Sequence, residues 1–102
     1  MAYGNIHIRD QVAQVKERIT GVAVKTAINT SKPLILCTMS FTNADGVNDH
    51  TVTLYEGNTV LHVYHIPKNT PSLVITNFNT GFDLCSFQPD NAAIDILATY
   101  IA

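Results

Sequence analysis

Residues 49–67 read Asp-His-Thr-Val-Thr-Leu-Tyr-Glu-Gly-Asn-Thr-Val-Leu-His-Val-Tyr-His-Ile-Pro, and this stretch decides the fold class. Two runs rich in Val, Leu, Thr and Tyr flank the pair Gly57-Asn58. Both residues of this pair tolerate positive φ, as the short turns between antiparallel strands require. The stretch therefore predicts a β-hairpin in which Glu56 pairs with Thr59.

This hairpin predicts a register in which the numbers of paired residues sum to 115. The paired positions on one face are Leu54 with Leu61, Val52 with Val63, and His50 with His65. Because side chains alternate between the two faces of a strand, this register collects the Leu and Val pairs on a core face. Together with the preceding strand, it predicts a sheet core of Ile35, Cys37, Met39, Phe41, Val52, Leu54, Leu61 and Val63.

The chain from residue 22 to residue 102 continues in the same style. Short runs of β-branched and aromatic residues alternate with clusters of Asn, Asp, Gly and Pro, and the runs lie about ten residues apart. Parallel strands would need crossover connections of a dozen or more residues, which this spacing does not provide. Residues 22–102 are therefore predicted to form one all-β domain, an antiparallel β-sandwich or jelly roll of seven to eight strands.

Residues 1–21 differ from this domain and are predicted to form an N-terminal arm. Residues 1–32 contain five Lys or Arg and two Asp or Glu, a net charge of +3, whereas residues 33–102 contain one Lys and six acids, a net charge of −5. Asp10 to Ile19 fits a short helix, which is marginally stable alone. We expect the arm to contact another subunit, and the competing expectation is an edge strand of its own domain. The expected contact residues are Arg9, Val12, Val15, Lys16, Arg18 and Ile19.

Three of the four histidines lie in the hairpin, which raises the question of a metal site. The predicted register places only His50 and His65 side by side, and they form a weak candidate pair. Zinc takes four protein ligands in structural sites and three in catalytic sites. Loop 43–49 is rich in Asn and Asp but lacks the spacing of an EF-hand. We therefore expect no metal and no other cofactor.

Other functional classes are predicted to be absent. The sequence contains no G-x-S-x-G, P-loop or G-x-G-x-x-G motif and no evident catalytic pair, which predicts a protein that is not an enzyme. It has no run of basic residues, so nucleic acid is not expected as a partner. It has no apolar run of membrane-spanning length, and a signal peptide is not expected. Cys37 and Cys85 are each surrounded by apolar residues and are predicted to be free, reduced thiols.

Several turn and strand motifs resemble small β-sandwich proteins from the virions of tailed bacteriophages. These motifs are the strand 33–43 that ends in Thr-Asn, the Val-Thr-Leu-Tyr-Glu-Gly hairpin at 52–57, and the Ile-Pro-Lys-Asn-Thr turn at 66–70. The resemblance covers about four-fifths of the chain.

The resemblance implies a non-enzymatic virion structural protein that is made in the host cytoplasm. The favoured role is capsid decoration, or cement, on the capsid surface. The implied partners are other copies, with a homotrimer favoured, and the major capsid protein or another virion protein. Only 14% of the residues are charged, against roughly a quarter in an average soluble domain, which suits surfaces buried by assembly.

Two alternatives remain at this stage. The first is a head–tail or tail structural component. The second is a carbohydrate-binding β-sandwich module, for which Tyr55 and Tyr64 on the predicted outer face are the available aromatic platform.

Overall fold

The computed structural model describes residues 14–29 and 33–102, and these residues form two antiparallel β-sheets without a helix. The nine strands of this part of the chain are β1 (Val15–Ile19), β2 (Thr26–Ile28), β3 (Leu34–Asn43), β4 (His50–Glu56), β5 (Thr59–Ile66), β6 (Thr70–Ile75), β7 (Thr80–Phe82), β8 (Cys85–Pro89) and β9 (Ile94–Ile101). As no helix occurs in these ranges, none is available there to cross a membrane.

The first sheet has the order β1-β9-β3-β6, with β7 also paired to β3, and the second has the order β2-β8-β4-β5. The predicted antiparallel sandwich is confirmed, with nine strands in place of seven or eight. The finer description as a jelly roll stays a prediction.

The core lies between the inner faces of the two sheets, where large apolar side chains from both are removed from water. Phe41 of β3 and Phe87 of β8 are both fully buried, and their rings meet edge to face across the sandwich with centroids 6.4 Å apart. In the final strand, Ile94, Ile96, Ala98 and Tyr100 alternate onto the inner face, and all four are buried.

A β-bulge in β3 changes which of its side chains face the core. Leu36 pairs with Tyr100 and Thr38 pairs with Thr99, so Cys37 is the extra residue on β3. Even-numbered residues face inward before the bulge and odd-numbered residues after it. The prediction that Ile35 belongs to the core is therefore wrong, because this side chain is 45% exposed.

A second bulge divides the hairpin. The two-residue turn at Gly57-Asn58 is present, and Tyr55 pairs with Val60 as predicted. Leu54 then pairs with His62, which leaves Leu61 as the extra residue. Beyond this point the 115 register is wrong by one, and Leu61 and Val63 are 46% and 39% exposed instead of buried.

The second half of the predicted arm belongs to the sandwich. Val15–Ile19 is not a helix but an edge strand that pairs with β9, which is the competing account of this segment. The edge of β9 offers a ladder of backbone hydrogen bonds, whereas a helix of two or three turns has little stability of its own. Ile19 is 5% exposed and lies opposite Ile96. Residues 1–13 lie outside the described residues, so an arm confined to them stays a prediction.

The bulge in β5 predicts unequal effects of two Leu substitutions in one hairpin. Leu54→Ala should lower the free energy of unfolding by about 2–5 kcal/mol, because it leaves a cavity in a close-packed core. Leu61→Ala should change it by only about 0.5 kcal/mol, because the side chain is half exposed. Urea unfolding measures both free-energy changes, provided that the m-values of the two variants equal that of the natural protein. Equal losses would contradict the shifted register.

Candidate functional site

The structure does not bring the candidate metal pair together. Because of the bulge at Leu61, His50 pairs with Ile66 and His65 pairs with Thr51. His50 therefore points into the sandwich, where it is 9% exposed, while His65 is exposed on the opposite face of the sheet. The two imidazoles cannot bind one metal ion from opposite faces.

His50 instead lies between two carboxylates. Its Nε2 is 2.9 Å from Oδ2 of Asp45, and its Nδ1 is 3.1 Å from Oδ1 of Asp90. Asp45 belongs to the β3–β4 loop and Asp90 to the β8–β9 turn, so the imidazole connects two loops at one end of the sandwich. When the ring carries both protons, each nitrogen donates a charge-assisted hydrogen bond.

A buried amide holds the loop that presents Asp45. The Asn43 side chain is 1% exposed, and its Nδ2 donates to the carbonyl oxygens of Asn48 and Ile66, each at 3.1 Å. Its Oδ1 accepts the N–H of Asp45 at 2.9 Å. Oδ1 of Asp45 in turn accepts the N–H groups of Val47 and Asn48. The loop is thus closed by its own side chains.

These contacts move the pKa values of the pair in opposite directions. The N–H of Val47, the His50 ring and the N–H of Asn48 hold the pKa of Asp45 far below its ordinary value. The hydrogen bond to Asp45 raises the pKa of His50 above its ordinary value, with a further contribution from Asp90 and against the opposing effect of burial. Both shifts favour an imidazolium–carboxylate cluster.

The cluster is suited to a structural role. Its imidazole nitrogens point at carboxylates, and the Asp45 oxygens accept hydrogen bonds from the loop. Asp49, the other acid of the loop, accepts the N–H of Lys68 at 2.9 Å. Within residues 14–29 and 33–102, no group of three or more His, Cys, Asp or Glu side chains is arranged to hold a metal ion.

The predicted contact residues of the arm are divided among different environments. Arg9 and Val12 lie outside the described residues. Lys16 and Arg18 are exposed on β1, and Arg18 forms an ion pair with Asp95 at 3.7 Å. Val15 is partly exposed at the start of β1, and Ile19 packs in the core of its own chain.

On the outer face of the first sheet, β9, β3 and β6 carry little charge, whereas β1 at the edge of the sheet carries Lys16 and Arg18. Leu97, Ser40 and Val74 form a row across β9, β3 and β6, and Leu97 and Val74 are exposed. Hydroxyl groups in this row and beside it bond within the face: Ser40 with Ser72 at 3.2 Å, and Thr38 with Thr99. Few of these polar groups need water as a partner, which lowers the cost of covering the face.

The two tyrosines proposed as a sugar platform do not share a face. Tyr55 points outward as predicted, but the Lys25 ammonium lies 4.4 Å from the centroid of its ring. Tyr64 points inward, where its ring lies 5.1 Å from that of Phe41. The placement of Tyr64 on the outer face was wrong, because the bulge at Leu61 reverses the faces of the residues that follow.

Both cysteines are buried and have free thiols. Burial is the main cause that raises the pKa of Cys85 to about 12, and the charges of Glu56 and Glu17 add to the effect. Because the thiolate is the reactive form, Cys85 is a packing residue in the folded state.

Comparison with known proteins adds little to this description. No protein-family model matches the chain, and no curated protein matches it. A solved structure described as "Bacillus endospore appendages form a novel family of disulfide-linked pili" is similar over 88% of this chain and 85% of that chain, with 15% sequence identity and a TM-score of 0.44. A likeness at this level carries no argument about function.

The His50 cluster predicts a defined pH profile for the substitution His50→Gln. The raised pKa of His50 gives a contribution to stability that is complete below the ordinary value of 6.5 and is lost as pH rises through the folded value. The lowered pKa of Asp45 gives a second contribution to stability, which is fully present at pH values above the ordinary pKa of 3.8 and is lost on acidification.

The stability difference between the natural protein and the His50→Gln variant should therefore be largest between these two values and should shrink on either side. Thermal unfolding at a series of pH values measures it. His65→Gln is the matched control, because its exposed imidazole lies outside the cluster. Equal pH profiles for the two variants would contradict the charged cluster of His50 with Asp45 and Asp90.

The burial of the cysteines predicts their behaviour toward a thiol reagent. In the folded protein, Cys85 should react many times more slowly than a free thiol, because it is buried and protonated. After denaturation without a reducing agent, the chain should show two reactive thiols. A count of zero would establish a disulfide and refute the reduced state.

Proposed function

We propose that this chain is a non-enzymatic structural subunit that acts by assembling with other copies and with a larger structure. The observation that carries the proposal is the part of the outer face of the first sheet that β9, β3 and β6 form; β1 beside it carries Lys16 and Arg18. Among the outward positions of β9, β3 and β6 the only charged side chain is Asp95, and it is paired with Arg18. Exposed Val74 and Leu97 on such a face favour burial against another protein.

We further propose the specific role of a decoration or cement protein on the capsid of a tailed bacteriophage. Support for this role comes from the strand and turn motifs that resemble those virion proteins. The corresponding partners are the major capsid protein and further copies of the chain, with a homotrimer as the implied oligomer. A head–tail or tail component remains the second candidate, because the same motifs support it.

The carbohydrate-binding alternative has lost its main support. A sugar platform requires exposed aromatic faces, and Tyr64 packs against Phe41 while a cation covers the ring of Tyr55. These contacts therefore favour a structural assembly protein over a carbohydrate-binding module.

The proposal predicts that the purified protein associates in solution. Its mass, measured by light scattering or sedimentation across a hundredfold range of concentration, should exceed the 11.2 kDa of one chain at the upper end. Virions isolated from the source of the sequence should contain the chain, and antibody labelling should place it on the head. A protein that stays monomeric throughout would contradict self-assembly.

Two deletions separate an arm from an edge strand. Deleting residues 1–13 should leave the thermal transition of the isolated domain nearly unchanged but should weaken association, if these residues contact a neighbouring subunit. Deleting residues 1–21 also removes β1 and the buried Ile19, so it should cost at least about 2 kcal/mol of stability. Urea unfolding and solution mass are measured for both. Loss of folding in the shorter deletion would rule out the arm.

A further inference from the structure

Strand β5 forms one edge of the second sheet. Its residues pair with β4 on one side, and no strand among the described residues pairs with its other side. An edge strand of this kind presents a row of backbone N–H and C=O groups that can pair with another strand. The eight residues of β5 make it the longest edge strand of the described sandwich.

Natural proteins protect edge strands with charges, proline or short length, and the other edges of this sandwich carry such protection. Strand β1 contains Lys16, Glu17 and Arg18, β6 contains Pro71, and β2 has only three residues. Strand β5 contains no Lys, Arg, Asp, Glu or Pro. Its protection is limited to the bulge at Leu61, which leaves His62–Ile66 in regular pairing with β4.

The side chains of β5 add to this contrast. Val60, Leu61 and Val63 are 53%, 46% and 39% exposed. Three large apolar side chains within four residues of an uncharged edge make a surface that a second strand would cover favourably. Backbone pairing and apolar burial thus point to the same segment.

We propose that β5 pairs with β5 of a second copy of this chain, in an antiparallel arrangement related by a twofold axis. In such a contact, each charged group meets a copy of itself or of a neighbouring group, and like charges in facing positions destabilise a sheet. Strand β5 satisfies this condition because it has no Asp, Glu, Lys or Arg. The pairing joins two four-stranded sheets into one continuous sheet of eight strands. The inference rests on the proposed function and identifies one contact between copies in the assembly. A trimer would need a different contact, because a twofold pairing joins only two copies.

Hydrogen exchange on the full chain tests this contact without a variant. Between a dilute and a concentrated solution, the amides of residues 59–66 whose N–H groups point away from β4 should exchange at least tenfold more slowly in the concentrated one, because alternate N–H groups of the strand point to its two sides. Amides of β4, which are paired within the sandwich on both sides, are the internal reference. Protection of residues 59–66 that is equal at every concentration would overturn the inference, because the edge would then be covered within one chain.

A pair of substitutions provides an independent test. Val63→Lys places a charge on the edge and should weaken the pairing at least tenfold. Val24→Lys is the matched control: it makes the same chemical change at a residue that is 60% exposed and lies outside the strands. Circular dichroism and thermal unfolding check that both variants fold, and sedimentation measures their association.

The outcomes distinguish this contact from the proposed function. If the natural protein associates and Val63→Lys associates equally well, the β5 contact is wrong and assembly through another surface stands. If the natural protein is monomeric at all concentrations, both proposals fail. If Val63→Lys alone loses association and the concentration-dependent protection of residues 59–66, the contact is supported.

Discussion

The antiparallel pairing of β3 is the constraint on which the rest of the structure depends. This ten-residue strand pairs with β9 and β6 on its two sides, and β7 joins it at its N-terminal end. Its inner face supplies Phe41 and Met39 to the core. Its last residue, Asn43, holds the loop that carries Asp45, and through Asp45 the strand reaches His50. A change that shifted β3 in register would alter the first sheet, the core and the loop together.

Much of this architecture was predictable because it follows from local patterns. The turn at Gly57-Asn58, the all-β class and the inner face of β9 can be read from alternation and turn residues alone. The errors have a common cause: β-bulges at Cys37 and Leu61 each insert one residue, and one inserted residue reverses the faces of those beyond it. Both bulges lie among consecutive apolar residues, Leu-Ile-Leu-Cys at 34–37 and Val-Leu at 60–61. Whichever of two neighbouring residues faces the core there, the side chain placed in the core is apolar. Alternation carries no information about register in such runs.

The His50 cluster shows a second limit. The sequence shows a histidine shortly after a loop rich in Asn and Asp, and the hairpin register predicts His65 as its neighbour. The actual partner on the other side, Asp90, is separated by forty residues and is brought in by the pairing of β4 with β8. That contact depends on sheet order, which a single sequence does not contain. The same holds for the low-charge face, since its row of Leu97, Ser40 and Val74 exists only once β9, β3 and β6 are neighbours.

The position of β9 has a consequence for how the chain folds during synthesis. This strand follows all the others in sequence, yet it lies between β1 and β3 in the first sheet. The β4–β5 hairpin can form as soon as it leaves the ribosome, because its contacts are local. The first sheet cannot close until residues 94–101 have emerged, and until then β1 has no neighbour and one side of β3 is unpaired. Pairing strands that are so distant in sequence is slow and leaves apolar edges open in the meantime. Until β9 emerges, all the strands of the second sheet are available, whereas the first sheet lacks one of its inner strands and the core between the sheets stays incomplete.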